Sequence, residues 1–421
     1  MISRRELFKL GGLTAMAVAS TGKLRASSSG VACFQDKKLE AVLKNLMPLE
    51  VRDYEERLER AYQLMAENRL PAFFIEPGPS LQYFTGVAWR RSERTFGVIL
   101  FPGRKPVWVC SKFELERARE MVSIDQEVRT WEENESPFKL IGKTLKDYAR
   151  AQTLAVEPST RAFILYGIRK DAPETQLADG SAVSEGCRGI KSEKEISYME
   201  AANRITKLSY REAFKKIEDG MSPEELSRLI REEHSKYGVI GGGSPSFGPN
   251  SAFPHGSRQK RDLKAGDVVL VDGGCRVEGY SSDVTRSIVF GKPSDKQKRI
   301  WDVVRKAQQA AFKACRPGAS CEDVDRAARK VIEEAGFGSG YEYFSHRLGH
   351  GIGLEGHEYP YLVQGNKLKI PPGMTFSNEP GIYVYGEFGI RTEDCMVVTG
   401  DGARILGGME AASVEQPFAE E

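Results

Sequence analysis

The sequence predicts an α+β chain in two parts, a smaller α/β domain followed by a larger domain made of two copies of one αβ unit. Three observations predict it. Between residues 50 and 180, short apolar runs alternate with helical patterns across Pro/Gly turns. Beyond residue 190, Phe214, Gly220, Ser222, Glu224, Arg228 and Gly238 return as Phe312, Gly318, Ser320, Glu322, Arg326 and Gly336, each pair 98 positions apart. The strands that follow correspond as well. Gly266 stands six residues before Asp272 and Gly373 six before Glu379, and each of these carboxylates has another soon after it, Asp283 and Glu393.

The chain of 421 residues is long enough for two substantial cores. Its 61 basic and 59 acidic residues nearly cancel, which argues against a nucleic-acid or anionic-membrane partner. No run of eighteen apolar residues follows the N-terminus, so no transmembrane span is expected in the mature protein. The seven cysteines include no Cys-x-x-Cys and read neither as a disulfide framework nor as a zinc cage.

The first residues differ from the rest. Arg4-Arg5, followed by Phe8-Lys9 and a short apolar run from Leu10 to Ala19, resembles a twin-arginine signal ending in small residues. Residues 1–30 are therefore expected to be an export signal and the protein periplasmic, the alternative being an uncleaved basic tail on a cytoplasmic protein. Cys33 is a weak lipoprotein site, because Gly rather than Leu stands three before it. Residues 31–48 read as a Ser- and Lys-rich linker.

Residues 49–185 form the first domain. Arg52 to Arg69 puts Tyr54, Leu58, Ala61, Tyr62 and Met65 on one helical face. Strands are expected at Ala72–Ile75, Gly97–Phe101 and Val107–Cys110, and a helix over Phe113–Met121. The domain holds no histidine, and the cluster Trp89–Arg94 is expected to be a solvated loop. Residues 186–410 form the second domain, with a long helix over Ser192–Ile217. Ser222-Pro-Glu-Glu225 opens the next helix with an N-cap serine, an early proline and a capping-box glutamate. Residues 411–421 read as a tail.

Three of the five histidines fall between His346 and His357. Imidazole is the commonest metal ligand and transfers protons near neutral pH, and the glycines around it let backbone approach closely. Two motifs in this stretch lack the context that would give them a mechanism. Gly351-x-Gly353-x-x-Gly356 resembles a dinucleotide fingerprint, but Tyr359-Pro360 follows where a helix would have to start. His357-Glu358 resembles a zinc-protease helix, but Tyr361 occupies the place of the second ligand.

Asp272, Asp283, Glu379 and Glu393 together with His350 make a set dominated by oxygen. For any one of them a helix cap or a surface ion pair is the ordinary role. Gathered without a cation, four carboxylates would repel one another and mostly protonate. Two divalent ions ~3.5–4 Å apart resolve the conflict. Carboxylates with a single imidazole and no thiolate suit Mn²⁺, Fe²⁺ or Co²⁺ at least as well as Zn²⁺. Arg391, two residues before Glu393, is expected to lie beside it on one strand face.

His255-Gly, Val271-Asp272-Gly-Gly, Gly279-Tyr-Ser-Ser-Asp283-Val-Thr-Arg, His346-Arg-Leu-Gly-His350-Gly, His357-Glu, Asn378-Glu379-Pro-Gly and Arg391-Thr-Glu393-Asp occur in this order. Together they resemble the pita-bread metallopeptidases, most closely the aminopeptidase P and prolidase group. The resemblance spans about residues 50–410 and implies a creatinase-type N-terminal α/β domain before a pita-bread catalytic domain with pseudo-twofold duplication. It implies a hydrolase that cleaves between an N-terminal residue and proline, acting on peptides with proline second, as a homodimer or higher homo-oligomer. Asp272, Asp283, His350, Glu379 and Glu393 would hold two divalent ions, Mn²⁺ foremost, whose bridging hydroxide attacks the peptide carbonyl.

By the same resemblance Glu379 would also shuttle the proton, and His255 and His357 would steady the substrate and the tetrahedral intermediate. His346 would orient the site, and Arg391 would belong to a polar network near Asp272. Other activities occur on this fold, so a non-peptidase hydrolase or lyase acting on a small amide or zwitterion is the alternative. Cys275 and Cys395, near Asp272 and Glu393, read as small buried residues, with oxidative sensitivity of the site as a second possibility.

Overall fold

The computed structural model describes residues 36–122, 126–149 and 152–419. The signal-like segment and Cys33 lie outside them. The first part is a six-stranded sheet of β1 (Phe73–Ile75), β2 (Gly97–Leu100), β3 (Val107–Ser111), β4 (Glu127–Trp131), β5 (Thr153–Val156) and β6 (Gln176–Asp179), in the order β4-β3-β2-β1-β5-β6. β1 pairs antiparallel to β2 and parallel to β5, so the sheet is mixed. β1, β2 and β3 are buried along their whole length, as their unbroken apolar runs require. The helical pattern at Val51–Glu67 packs here through Ala61, Leu64 and Met65. The helix expected over Phe113–Met121 is shorter, a 3₁₀ turn followed by Leu115–Arg119.

Three expectations change. Inside the supposed linker, Lys37–Lys44 is a helix capped by Asp36, with Leu39 buried and Asp36 ion-paired to Arg204 at 2.5 Å. Residues 411–419 are not a loose tail. Ala411 and Val414 are buried, and the Phe418 ring lies 5.6 Å from that of Phe214. Trp89–Arg94 is a loop with Arg90, Arg91 and Glu93 exposed, but it is anchored to the fold. Trp89 is buried and stacked on Phe96 at 4.1 Å, Arg91 donates to Pro77 O, and Arg161 donates to Ser92 O.

The second part carries β7 (Ser244–Phe247), β8 (Val268–Gly273), β9 (Arg276–Val277), β10 (Tyr280–Ser281) and β11 (Val284–Val289), with β11-β8-β7 as one sheet. β12 (Gly349–Gly351), β13 (Glu358–Leu362), β14 (Thr375–Asn378), β17 (Asp394–Val398) and β18 (Ala403–Ile405) form another, in the order β13-β12-β14-β17-β18. β15 (Gly381–Val384) and β16 (Phe388–Arg391) make a hairpin.

The repeat seen in the sequence is present in the backbone. Ser222 and Ser320 each close a capping box. Gly266 and Gly373 take φ of 88° and 86°, a left-handed turn that favours glycine. Gly220 N donates to Leu263 O and Gly318 N to Ile370 O, both at 2.9 Å. Gly266 N bonds Phe290 O at 2.7 Å, and Gly373 N bonds Val398 O at 2.9 Å. The two halves thus deliver β8–β11 and β14–β17 as matched antiparallel pairs.

The long helix Glu193–Phe214 lies across this domain, buried on nearly every face, and also ties it to the first. Arg57 reaches Glu195 at 3.3 Å and the Tyr280 hydroxyl at 3.0 Å, and Tyr280 donates to Glu195 at 2.6 Å. Among the described residues no helix is long and apolar enough to cross a membrane.

Candidate metal centre

The matched strand pairs set the carboxylates. Asp272 sits near the end of β8, directly opposite Thr285 of β11, and Asp283 immediately precedes β11. In the other half, Glu379 follows β14, and Glu393 lies in the link between β16 and β17. Arg391 and Glu393 therefore do not share a strand face, because the chain leaves β16 at Arg391. Main-chain bonds fix both glutamates: Glu379 N donates to Leu348 O at 2.9 Å and Glu393 N to Thr285 O at 3.1 Å.

His350 comes from β12, which is pressed against β14. A Cβ on Gly349 would collide with the carbonyl oxygen of Ser377, so only glycine permits this approach. Ser377 Oγ accepts the His350 N–H at 3.0 Å and donates to Glu379 Oε1 at 3.2 Å. The Gly-Ile-Gly run after His350 precedes no helix, and His357-Glu358 opens β13, so neither decoy motif has its structural context.

All nine residues singled out in the sequence line one cavity of about 240 Å³, joined by Pro254 and Arg347. Three sets offer ligand atoms within 4.8 Å of one another: Asp272, Asp283 and Glu393; His350, Glu379 and Glu393; Asp283, His350 and His357. Asp283, His350 and Glu393 each belong to two sets, and of these only the two carboxylates have a pair of oxygens with which to bridge. His350 Nδ1 donates to Gly351 O at 3.0 Å, which leaves Nε2 facing Glu379 Oε1 at 3.2 Å and Asp283 Oδ2 at 3.8 Å. The His357 ring stacks on His350 at 3.7 Å and 17°. His255 lines the cavity from an exposed loop.

Charge balance shows what the site lacks. Burial, then the neighbouring carboxylates, push Asp283 and Glu393 well above the ordinary carboxyl range. Burial raises Glu379 too, but the His350 hydrogen bond and the nearby His346, His350 and Arg391 outweigh it and hold it at about 2. Carboxylates so close together and so deeply buried call for positive charge beside them. An oxygen-rich set with the Nε2 of His350 and two carboxylates in bridging positions fits two divalent cations.

A polar chain flanks the cluster. Arg391 is buried and donates to Asp272 Oδ2 at 2.7 Å, Thr285 Oγ1 at 3.0 Å, Tyr383 OH at 3.0 Å and Pro254 O at 3.2 Å. His346 Nδ1 donates to Arg347 O at 2.8 Å, so its Nε2 accepts from Tyr383 OH at 2.7 Å. Burial lowers His346 to about 4 and keeps it neutral. Thr285, Tyr383 and Ser377 were missed in the sequence. Period-two spacing from Asp283 was the one available signal for Thr285.

Cys395 brackets Asp283, accepting its N–H at 3.3 Å and donating to its O at 3.2 Å. Cys275 donates to Ala202 O at 3.3 Å. Burial holds both thiols up, Cys275 at about 11, which argues against reactive thiolates.

Residues 197–400 match the family model described as Metallopeptidase family M24, and residues 57–190 match the Creatinase/Prolidase N-terminal domain. An Xaa-Pro dipeptidase of Lactobacillus helveticus is 34% identical over 356 residues, 82% of this chain and 95% of that protein. The chain belongs to metallopeptidase family M24. Among solved structures, the dipeptidase PepE of Mycobacterium ulcerans superposes with a TM-score of 0.80 at 33% identity, covering 86% of this chain and 97% of that one. A recombinant prolidase from Thermococcus sibiricus gives 0.77 at 30%, covering 84% and 96%. The second half of this M24 chain is thus a pita-bread catalytic domain, preceded by a creatinase-type domain.

Proposed function

We propose that this M24 metallopeptidase hydrolyses the bond between an N-terminal residue and proline, with Xaa-Pro dipeptides as its principal substrates. The observation that carries the reading is the convergence of five ligand-type residues and four proton- or charge-bearing neighbours on one cavity of about 240 Å³. The dipeptidase names of the relatives favour dipeptides over longer peptides.

Asp272, Asp283, His350, Glu379 and Glu393 would hold two divalent ions, Mn²⁺ foremost, with Co²⁺, Fe²⁺ or Zn²⁺ as the alternatives this donor set also accepts. When bound, the ions supply Lewis-acid polarisation of the scissile carbonyl and a water acidified towards neutral pH. Glu379, ionised between His350 and Arg391, takes the proton from the attacking water. It returns that proton to the prolyl nitrogen as the C–N bond breaks. His255 and His357 face the cavity as donors to the carbonyl oxygen and the substrate carboxylate. The Arg391–Tyr383–His346 chain holds Asp272 and the cavity wall in place.

Metal analysis together with an Ala-Pro assay tests this. About two ions per chain with release of proline is the expected result. Metal without cleavage of any Xaa-Pro peptide would shift the reading to a small amide or zwitterion. A homodimer or higher homo-oligomer belongs to the same reading, and a monomer by light scattering would remove it.

Export to the periplasm is the second part of this proposal, on the strength of Arg4-Arg5 and the apolar run after them. Residues 1–30 fused to a folded reporter should direct it to the periplasm, and Arg4-Arg5→Lys-Lys should stop that. A reporter that stays in the cytoplasm discards it.

A further inference from the structure

Behind the glutamates lies a buried polar node that the proposed chemistry does not use. Asp394, the neighbour of Glu393, is fully buried. Its Oδ1 receives Lys207 Nζ at 2.6 Å and Arg286 Nη2 at 2.8 Å, and its Oδ2 receives Gln308 Nε2 at 3.2 Å. Lys207 completes its donors on the carbonyls of Leu406 at 2.9 Å and Gly408 at 2.6 Å.

Every N–H of Arg286 is committed as well. Nη1 donates to Glu393 O at 2.7 Å and Thr285 O at 3.1 Å. Nη2 also reaches Met409 O at 3.0 Å, and Nε reaches Pro417 O at 2.8 Å. The node touches the other glutamate too. Gln308 Nε2 reaches Asn378 O at 3.3 Å, and Asn378 Nδ2 returns to Gln308 O at 2.9 Å. Asn378 precedes Glu379 and stands opposite Asp394 in the β14–β17 pair.

Two cations and one anion sealed from water are a poor device for stability alone, since well-packed apolar groups often do as well. Their bonds instead end on the main chain of Glu393 and on the residues beside both glutamates. We infer that Lys207, Asp394, Arg286 and Gln308 are positioning residues that set Glu379 and Glu393 from behind. The segment Leu406–Phe418 is the strap that closes the node, through four carbonyls and the Phe418 ring 5.7 Å from the Arg286 guanidinium. The inference rests on reading the site as a metal centre.

The test uses the full chain, Mn²⁺ alone as probe, and two readouts: the Mn²⁺ dissociation constant and the melting temperature of the metal-free protein. Lys207→Met and Gln308→Met are each expected to weaken Mn²⁺ binding by about tenfold or more, the range for groups that orient metal ligands. Gln308→Met, which removes no charge, decides the matter if Lys207→Met does not fold. Phe418→Ala should weaken binding in the same direction by a smaller factor. A folded Gln308→Met or Lys207→Met protein with wild-type Mn²⁺ affinity and only a lowered melting temperature overturns the positioning role. Unchanged affinity in Phe418→Ala overturns the strap. Wild-type protein that retains no Mn²⁺ would instead overturn the metal reading, and the inference with it.

Discussion

Thr285 Oγ1 lies 2.6 Å from Glu393 Oε2, a side-chain contact that joins the two halves of the catalytic domain. The same oxygen is 3.1 Å from Asp272 Oδ1 and accepts from Arg391 Nε at 3.0 Å. A hydroxyl has one proton, and the shorter contact assigns it to Glu393. Thr285→Val should therefore cut kcat/KM on Ala-Pro or the Mn²⁺ affinity by roughly 10–100-fold, whereas Thr285→Ser should stay near wild type. Equal values for Val and wild type would show that the hydroxyl is a bystander.

His350→Ala and Glu379→Ala remove the imidazole nitrogen that faces the carboxylates and the proposed proton carrier. Each should lower kcat/KM by about 10²–10⁴-fold or more while the far-UV circular dichroism is unchanged. Residual turnover near wild type in Glu379→Ala would take the proton-transfer role away from that residue.

Metal removal should expose a pH dependence. Asp283 and Glu393 are raised in the folded, metal-free chain. Such groups add stability below their unfolded values of about 4 and lose it as pH rises through the folded values. Glu379, held at about 2, has the opposite sign, its contribution vanishing only at acid pH. Chelated protein should thus melt lower at pH 8 than at pH 5.5. Mn²⁺ at a hundred times its Kd should restore about 2.7 kcal/mol. A chelated protein that melts higher at pH 8 contradicts this charge assignment.

The domain junction should fail in acid. Burial raises Glu358, but Lys191 at 3.1 Å and Arg188 at 2.5 Å outweigh it and hold the carboxyl at about 2. Its stabilisation, roughly 3 kcal/mol, is present above about pH 4.5 and lost as pH falls towards 2. Glu358→Gln strips buried Lys191 of its carboxylate and leaves Arg188 with Glu355 alone, and should cost about 3–5 kcal/mol at neutral pH. It should also flatten the acid limb. Urea titrations at pH 7, 4 and 3 measure both, and an acid limb as steep as in wild type would rule this pair out as its source.

The site residues were legible because they are scarce types at matched places: clustered histidines, and carboxylates six residues after turn glycines. Their supports were not. Arg188 lies 170 positions from Glu358 and Arg286 lies 108 from Asp394, so only strand register and domain docking reveal the pairs. Periodicity placed β1, β2 and β3 but left β4–β6 unmarked, because β4 and β6 are partly exposed and lack a clear apolar run. The helix Lys37–Lys44 was hidden by its Lys-rich composition, since its short apolar face of Leu39, Val42 and Leu43 stands among lysines and its cap Asp36 also pairs with the distant Arg204. The anchoring of the Trp89–Arg94 loop was hidden as well, because its partners Phe96, Pro77 and Arg161 are set by the fold.

The division of ligands between two halves has a consequence for the order of synthesis. A chain made from its N-terminus presents Asp272 and Asp283 long before β14 and β17 bring Glu379 and Glu393. Until then the first half holds two close carboxylates with no partners across the axis. The Arg391 guanidinium that neutralises Asp272, and the carbonyls that seat Lys207 and Arg286, all arrive in the last stretch of the chain. A ribosome-bound nascent chain cut short before Arg391 should therefore lack Glu393 and the complete five-ligand centre, and should hold metal more weakly than the full chain.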